Sequence, residues 1–297
     1  MTSQKLIKIL VVSILFLEIT SCTCNRSEKQ LPKQTLIQDT LDTKKDSKTE
    51  YFSMPSPEEI LTYFYSNQLV FHSNIICSTK NIEKYLENES QLQMIGVFSS
   101  DLAYLTIYKK QNEILDYFSA IQNLAEKTKI SSAFDKNIIS QVIGVQNDID
   151  SLAEIARNSY IKLLSYLITF EKQNQLSVIL YGAYIESIYL SLDYIESYSE
   201  NNELIQKIAN QKYAFDNLYN FSKQYLSPDR NAIQLSNLEK LNNIYSSLTI
   251  TNSNDNSVTN AENGKMVLGG SEEIVMNEIQ FNQLKSLINE LRTELIK

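Results

Sequence analysis

The chain has 297 residues, a net charge of −8, one His, three Cys, no Trp, and only six Gly and four Pro, with 43% hydrophobic residues. Average usage predicts roughly 35 Gly and Pro together, which argues against an all-β fold built on many tight turns and for a helical one. The apolar fraction is sufficient for one large domain or two small ones, and the acidic balance argues against a nucleic-acid footprint, which needs clustered Lys and Arg.

Residues 1–21 combine a basic start at Lys5 and Lys8, an apolar run from Ile9 to Leu17 and a small-residue end, Thr20-Ser21, before Cys22. This is the pattern of a secretory signal, with an apolar stretch too short to span a bilayer. Ile19-Thr20-Ser21-Cys22 resembles the lipobox of bacterial lipoproteins. That resemblance implies cleavage before Cys22 and acyl chains on it; three chains exceed the two signals that stable anchoring requires. The expected partner of Cys22 is thus a lipid bilayer.

Cleavage would remove Lys5, Lys8 and Glu18 and leave a net charge of −9. Residues 22–53 read as the acylated Cys and a solvated tether, with little hydrophobic content and no periodicity. Its r.m.s. span is roughly 30 Å, enough to hold a domain clear of the headgroups. Asp39-Thr40-Leu41 within it resembles a three-residue O-glycosylation acceptor. A Cys24–Cys77 bridge and a small buried Cys77 are the two readings of the remaining thiols. The second is preferred, because Cys77 follows the apolar pair Ile75-Ile76. With His72 the one imidazole, thiol catalysis, the usual triads and zinc sites are unsupported.

The helical domain is expected over 54–297. Ser56-Pro57-Glu58-Glu59 reads as a capping box with Pro at the first helical position. The helix it opens is predicted to run to about residue 72, placing His72 near its C-terminus. Further helices are predicted at 89–108, 111–128, 135–146, 149–170, 174–198, 202–226 and 230–248. The class is all-α, a single antiparallel multi-helix bundle or array of about eight to nine helices. Asp148 and Asp150 read as an N-terminal cap rather than a metal pair. Residues 176–192 are apolar or small nearly all round and read as a central core helix rather than a second membrane span. Residues 251–270 read as a mobile loop; Asn252–Asn256 resembles a calcium loop but lacks its Gly and terminal Glu. Ser271-Glu272-Glu273 is expected to cap a last helix with a heptad-like seam, Ile274, Phe281, Leu284, Ile288, Leu291 and Leu295, interrupted at Asn277.

Two acids lie inside apolar helical stretches. Asp101 follows Gly96, Ser99 and Ser100 and precedes Tyr104; Glu186 follows Gly182 and Ala183 and precedes Tyr189. The small residues predict close helix approach. A buried acid needs donors, for which Tyr104, Tyr189, Ser99 and Ser187 are the candidates. The expectation is one polar cluster, or candidate pocket, of Asp101, Tyr104, Glu186 and Tyr189.

Met54-Pro55-Ser56-Pro57-Glu58-Glu59-Ile60, Ser100-Asp101-Leu102-Ala103-Tyr104 and Gly182-Ala183-Tyr184-Ile185-Glu186-Ser187-Ile188-Tyr189 together resemble a group of uncharacterised helical lipoproteins of the Bacteroidota. Ser100 and Ala183-Tyr184 depart from that group's Gly-containing units. The resemblance implies the anchor and the helical fold and brings no activity. The functional expectation is therefore a membrane-anchored lipoprotein of the cell envelope, held at the outer membrane. It is a non-catalytic module for an envelope protein or small ligand, needing no metal or cofactor. The alternative is a hydrolase using Asp101 and Glu186.

Overall fold

The computed structural model describes residues 57–145, 148–252 and 272–297. The signal, Cys22, Cys24, the tether and the Ser56 cap lie outside the described residues, as does most of the expected 251–270 loop. Of the described residues 73% are helical, in ten α-helices and two short 3-10 helices, with one two-stranded ribbon. The array is all-α, as the composition predicts.

The helices are α1 (Pro57–Ser66), α2 (Asn88–Ile107), α3 (Gln111–Lys127), α4 (Ile138–Gly144), α5 (Ile149–Thr169), α6 (Gln173–Asp193), α7 (Glu203–Asn210), α8 (Lys212–Tyr225), α9 (Ala232–Ser246) and α10 (Glu278–Leu295). α6 is the axis of the array. From Leu176 to Leu192 every residue except Tyr189 is buried, because α1, α2, α5, α8 and α10 all pack on it. A helix wrapped on all sides has no solvent face to distinguish, and its sequence is accordingly apolar all round. Among the described residues no helix is long and apolar enough to cross a membrane.

Four helix ends share one device. Gln68, Lys109, Lys129 and Glu171 adopt φ between 51° and 59° just past α1, α2, α3 and α5. In each case the next residue's N–H reaches back to the last turn: Leu69 to Phe64 O, Lys110 to Leu105 O, Ile130 to Ala125 O and Lys172 to Leu167 O. This is the Schellman closure, usually made by Gly. Here it is made with side chains that cost about 1 kcal/mol each in the left-handed region. Chain reversal without glycine is how a helical array tolerates a Gly count of six.

Several boundaries differ from expectation. α1 stops at Ser66, not near 72, and residues 67–78 form an irregular strap that includes His72. The predicted 202–226 helix is two, broken at Gln211, whose ψ of −7° opens the turn. Thr249–Asn252 (β1) and Glu272–Val275 (β2) pair antiparallel, Ile250 opposite Ile274. Glu272 and Glu273 thus lie in a strand rather than at a helix start, and Thr251 and Asn252 in a strand rather than a loop. α10 is capped instead by Asn277, whose side chain accepts from Gln280 N–H while the Gln280 side chain accepts from Asn277 N–H. The residue that seemed to interrupt the seam begins the helix. Asn277→Ala should lower stability by about 1 kcal/mol, read by chemical denaturation; an unchanged midpoint would mean the ribbon alone fixes this end. Asp148 caps α5 as predicted, accepting from Ser151 N–H at 3.3 Å.

Candidate functional site

α2 and α6 cross at two glycines. A Cβ on Gly96 would lie 2.0 Å from Ile179 O and 2.6 Å from Ala183 N, and one on Gly182 would lie 2.1 Å from Gln93 O. The two backbones therefore touch directly, with Ser100 Oγ donating to Ala183 O at 2.8 Å across the contact. Just beyond the crossing, Asp101 and Glu186 come together. Both are fully buried, close enough for Glu186 to raise the Asp101 carboxyl.

The donors that satisfy them are not those expected. Ser99 and Ser187 bond back to carbonyls of their own helices, Ile95 O and Ala183 O, the usual local preference of a helical Ser. Arg292 of α10 supplies the cation, with Nε 3.2 Å from Glu186 Oε2 and Nη2 3.3 Å from Oε1. Asp101 Oδ2 accepts the Cys77 N–H at 3.0 Å, while Oδ1 meets no N–H or hydroxyl donor. Tyr189 gives no hydrogen bond to either acid; its ring lies under the guanidinium, 4.3 Å from centroid to Cζ.

Tyr104 is likewise not part of the carboxyl pair. Its long phenol passes the acid and receives the His72 N–H at 2.9 Å. It also touches the Tyr194 hydroxyl at 2.6 Å. Tyr194 in turn donates to Val70 O at 2.7 Å, Arg292 Nη2 to Ile75 O at 2.9 Å and Tyr117 to Cys77 O at 2.5 Å. These contacts share one object, the strap. Having no secondary structure to satisfy its backbone, it takes side-chain partners from α2, α3, α6 and α10, as a partly buried irregular segment must. The space expected as a pocket is occupied by the chain's own residues 70–77.

Electrostatics follow from burial. Desolvation raises Asp101 well above the usual carboxylate range, and the neighbouring Glu186 raises it further. Glu186 is raised by burial too, against the opposing pull of Arg292. Burial works against the charge on Arg292, but the Glu186 carboxylate overcomes it and raises the guanidinium. Cys77, a buried free thiol, is pushed up to about 12 by burial and then by Asp101 and Glu186, which makes it unreactive. His72 is half-exposed on the strap, its Nδ1 2.6 Å from Asp193 Oδ2 and its ring stacked on Tyr194.

Among the described residues no group of three or more His, Cys, Asp or Glu is placed to hold a metal. Comparison with protein-family models, with curated proteins and with solved structures finds no match. Sequence reasoning missed Arg292 and the strap. Arg292 had a visible signal: it lies four residues after Ile288 and three before Leu295, so it borders the apolar seam rather than the solvent face.

Proposed function

We propose that this protein is a lipid-anchored, non-catalytic module of the cell envelope, tethered at the outer membrane through acylated Cys22 and engaging an envelope protein or small ligand by its helical surfaces. The observation that carries the non-catalytic reading is the sealing of Asp101 and Glu186. These are the two acids the chain offers for hydrolysis. Both have 0% exposure, Glu186 has both oxygens on Arg292, and Asp101 holds the strap backbone. A hydrolytic pair needs an acid and a base within reach of a substrate and a water. Here the chain itself fills that position, which argues against a hydrolase built on Asp101 and Glu186.

The anchor rests on the sequence alone: the apolar run, the small residues before Cys22 and the tether-like composition after it. The deciding experiment is fractionation of cells expressing the native chain and Cys22→Ala. The native protein should sediment with membranes and the variant should appear in the soluble fraction. Equal membrane retention would remove the anchor from this reading, and a hydrolytic product released by the purified protein would restore the enzyme.

A further inference from the structure

We propose that Asp101, Glu186 and Arg292 form a one-proton latch: a single proton held on the Asp101 carboxyl keeps the strap and α10 closed on the core, and its loss as pH rises releases them. The argument begins with charge stoichiometry. Two neighbouring buried carboxyls share one cation, and the guanidinium is committed to both oxygens of Glu186 and to Ile75 O. Asp101 Oδ2 takes the Cys77 N–H, and Oδ1 has no N–H or hydroxyl to accept. Two neighbouring carboxylates at zero exposure, with one cation already committed to one of them, do not both ionise. The proton therefore resides on Asp101, the carboxyl without a cation; the cluster is then an acid, a carboxylate and a guanidinium of net zero charge.

Among the described residues, the other titratable groups that act on the pair are a thiol and three phenols, which are neutral below their ordinary values. The strap contributes the Cys77 thiol, α3 contributes Tyr117, α6 contributes Tyr189, and Tyr85 lies against the Cys77 thiol. Burial raises all four above their ordinary values. The sign follows. A carboxyl whose folded value lies above its unfolded one contributes stability that is fully present below the unfolded value and is lost as pH rises through the folded value. Asp101 and Glu186 share this sign. The released elements are set by the contacts: Asp101 holds the strap at Cys77, and Arg292 holds both the strap at Ile75 and α10.

The test compares the full-length wild type with Asp101→Asn, which keeps an acceptor for Cys77 N–H and offers Glu186 an N–H that does not titrate. At pH values below the ordinary Cys and Tyr range, where those groups are neutral both folded and unfolded, melting temperature should fall with rising pH more steeply in the wild type than in the variant. At alkaline pH, Cys77 alkylation by N-ethylmaleimide, read peptide by peptide, should be at least about tenfold faster in the wild type. Removing the Asp101 charge by itself makes the thiol more reactive, so a slower variant reports closure of the strap. Parallel melting curves, or equal alkylation rates, overturn the latch. If Asp101→Asn does not fold, carbon-13 carboxyl spectra of aspartate-labelled wild type decide: one aspartic acid protonated at neutral pH supports the latch, and none overturns it.

Discussion

Glu186→Gln is expected to cost about 3–5 kcal/mol of folding stability, the usual loss when one partner of a buried ion pair is removed. The side chain stays nearly the same size, so the effect is electrostatic rather than steric. Gln offers one acceptor oxygen where Arg292 now finds two, and no charge to balance a guanidinium whose side chain is 12% exposed. Against a typical total of 5–15 kcal/mol this is a large fraction. Urea denaturation measures it, and a double-mutant cycle with Arg292→Met should show strong non-additivity, because with the cation gone Gln in place of Glu removes an unpaired charge. A loss below about 1 kcal/mol would mean that water reaches the guanidinium.

Gly96→Ala and Gly182→Ala should each destabilise by about 3 kcal/mol or more, although Ala is the better helix former by about 1 kcal/mol. The sign is decided by what the new methyl would meet. At both positions it is backbone of the facing helix within about 2 Å, which cannot swing aside as a side chain does. The helices must separate, and Asp101 and Glu186 beyond the crossing would separate with them. Gly144 is the internal control, since a Cβ there meets nothing within 4 Å; Gly144→Ala should be neutral or mildly stabilising. Equal effects at the three sites, measured by thermal melting, would refute the close crossing.

What the sequence disclosed follows from how local each feature is. Helices α3 and α5 announce themselves by apolar period and α6 by being apolar or small nearly all round; in α5 the apolar residues Leu152, Ala156, Leu163, Leu164 and Leu167 are buried and Ile155 is half-buried. The close approach of α2 and α6 was legible in Gly96, Ser100, Gly182 and Ala183, because small residues at helical spacing have few other uses. The meeting of Asp101 with Glu186 followed from the same logic. The partners of the acids did not, since Cys77 N–H and Arg292 are 24 and 106 residues away in sequence. Tyr104 and Tyr189 were placed beside the acids by spacing, yet a phenol extends past its own turn and is claimed by whatever lies there. The strap was hidden for a related reason: Gln68, the residue that ends α1, is not a helix breaker by type, and its left-handed φ is visible only in three dimensions. The β1–β2 ribbon is four residues per strand, too short for a period to register.

The reach of Arg292 also orders events in time. Synthesis runs from the amino end, so Ile75, Cys77, Asp101 and Glu186 all exist before the guanidinium that neutralises them, by 106 residues in the case of Glu186. Until α10 arrives, closing α2 on α6 would bury two acids with no cation, and the strap carbonyl at Ile75 would have no donor. The largest helix pairing in the array is thus disfavoured while the chain is incomplete and becomes favourable at once when Arg292 enters. A chain built this way is expected to complete its core only once its last helix is made, and to fold as a unit.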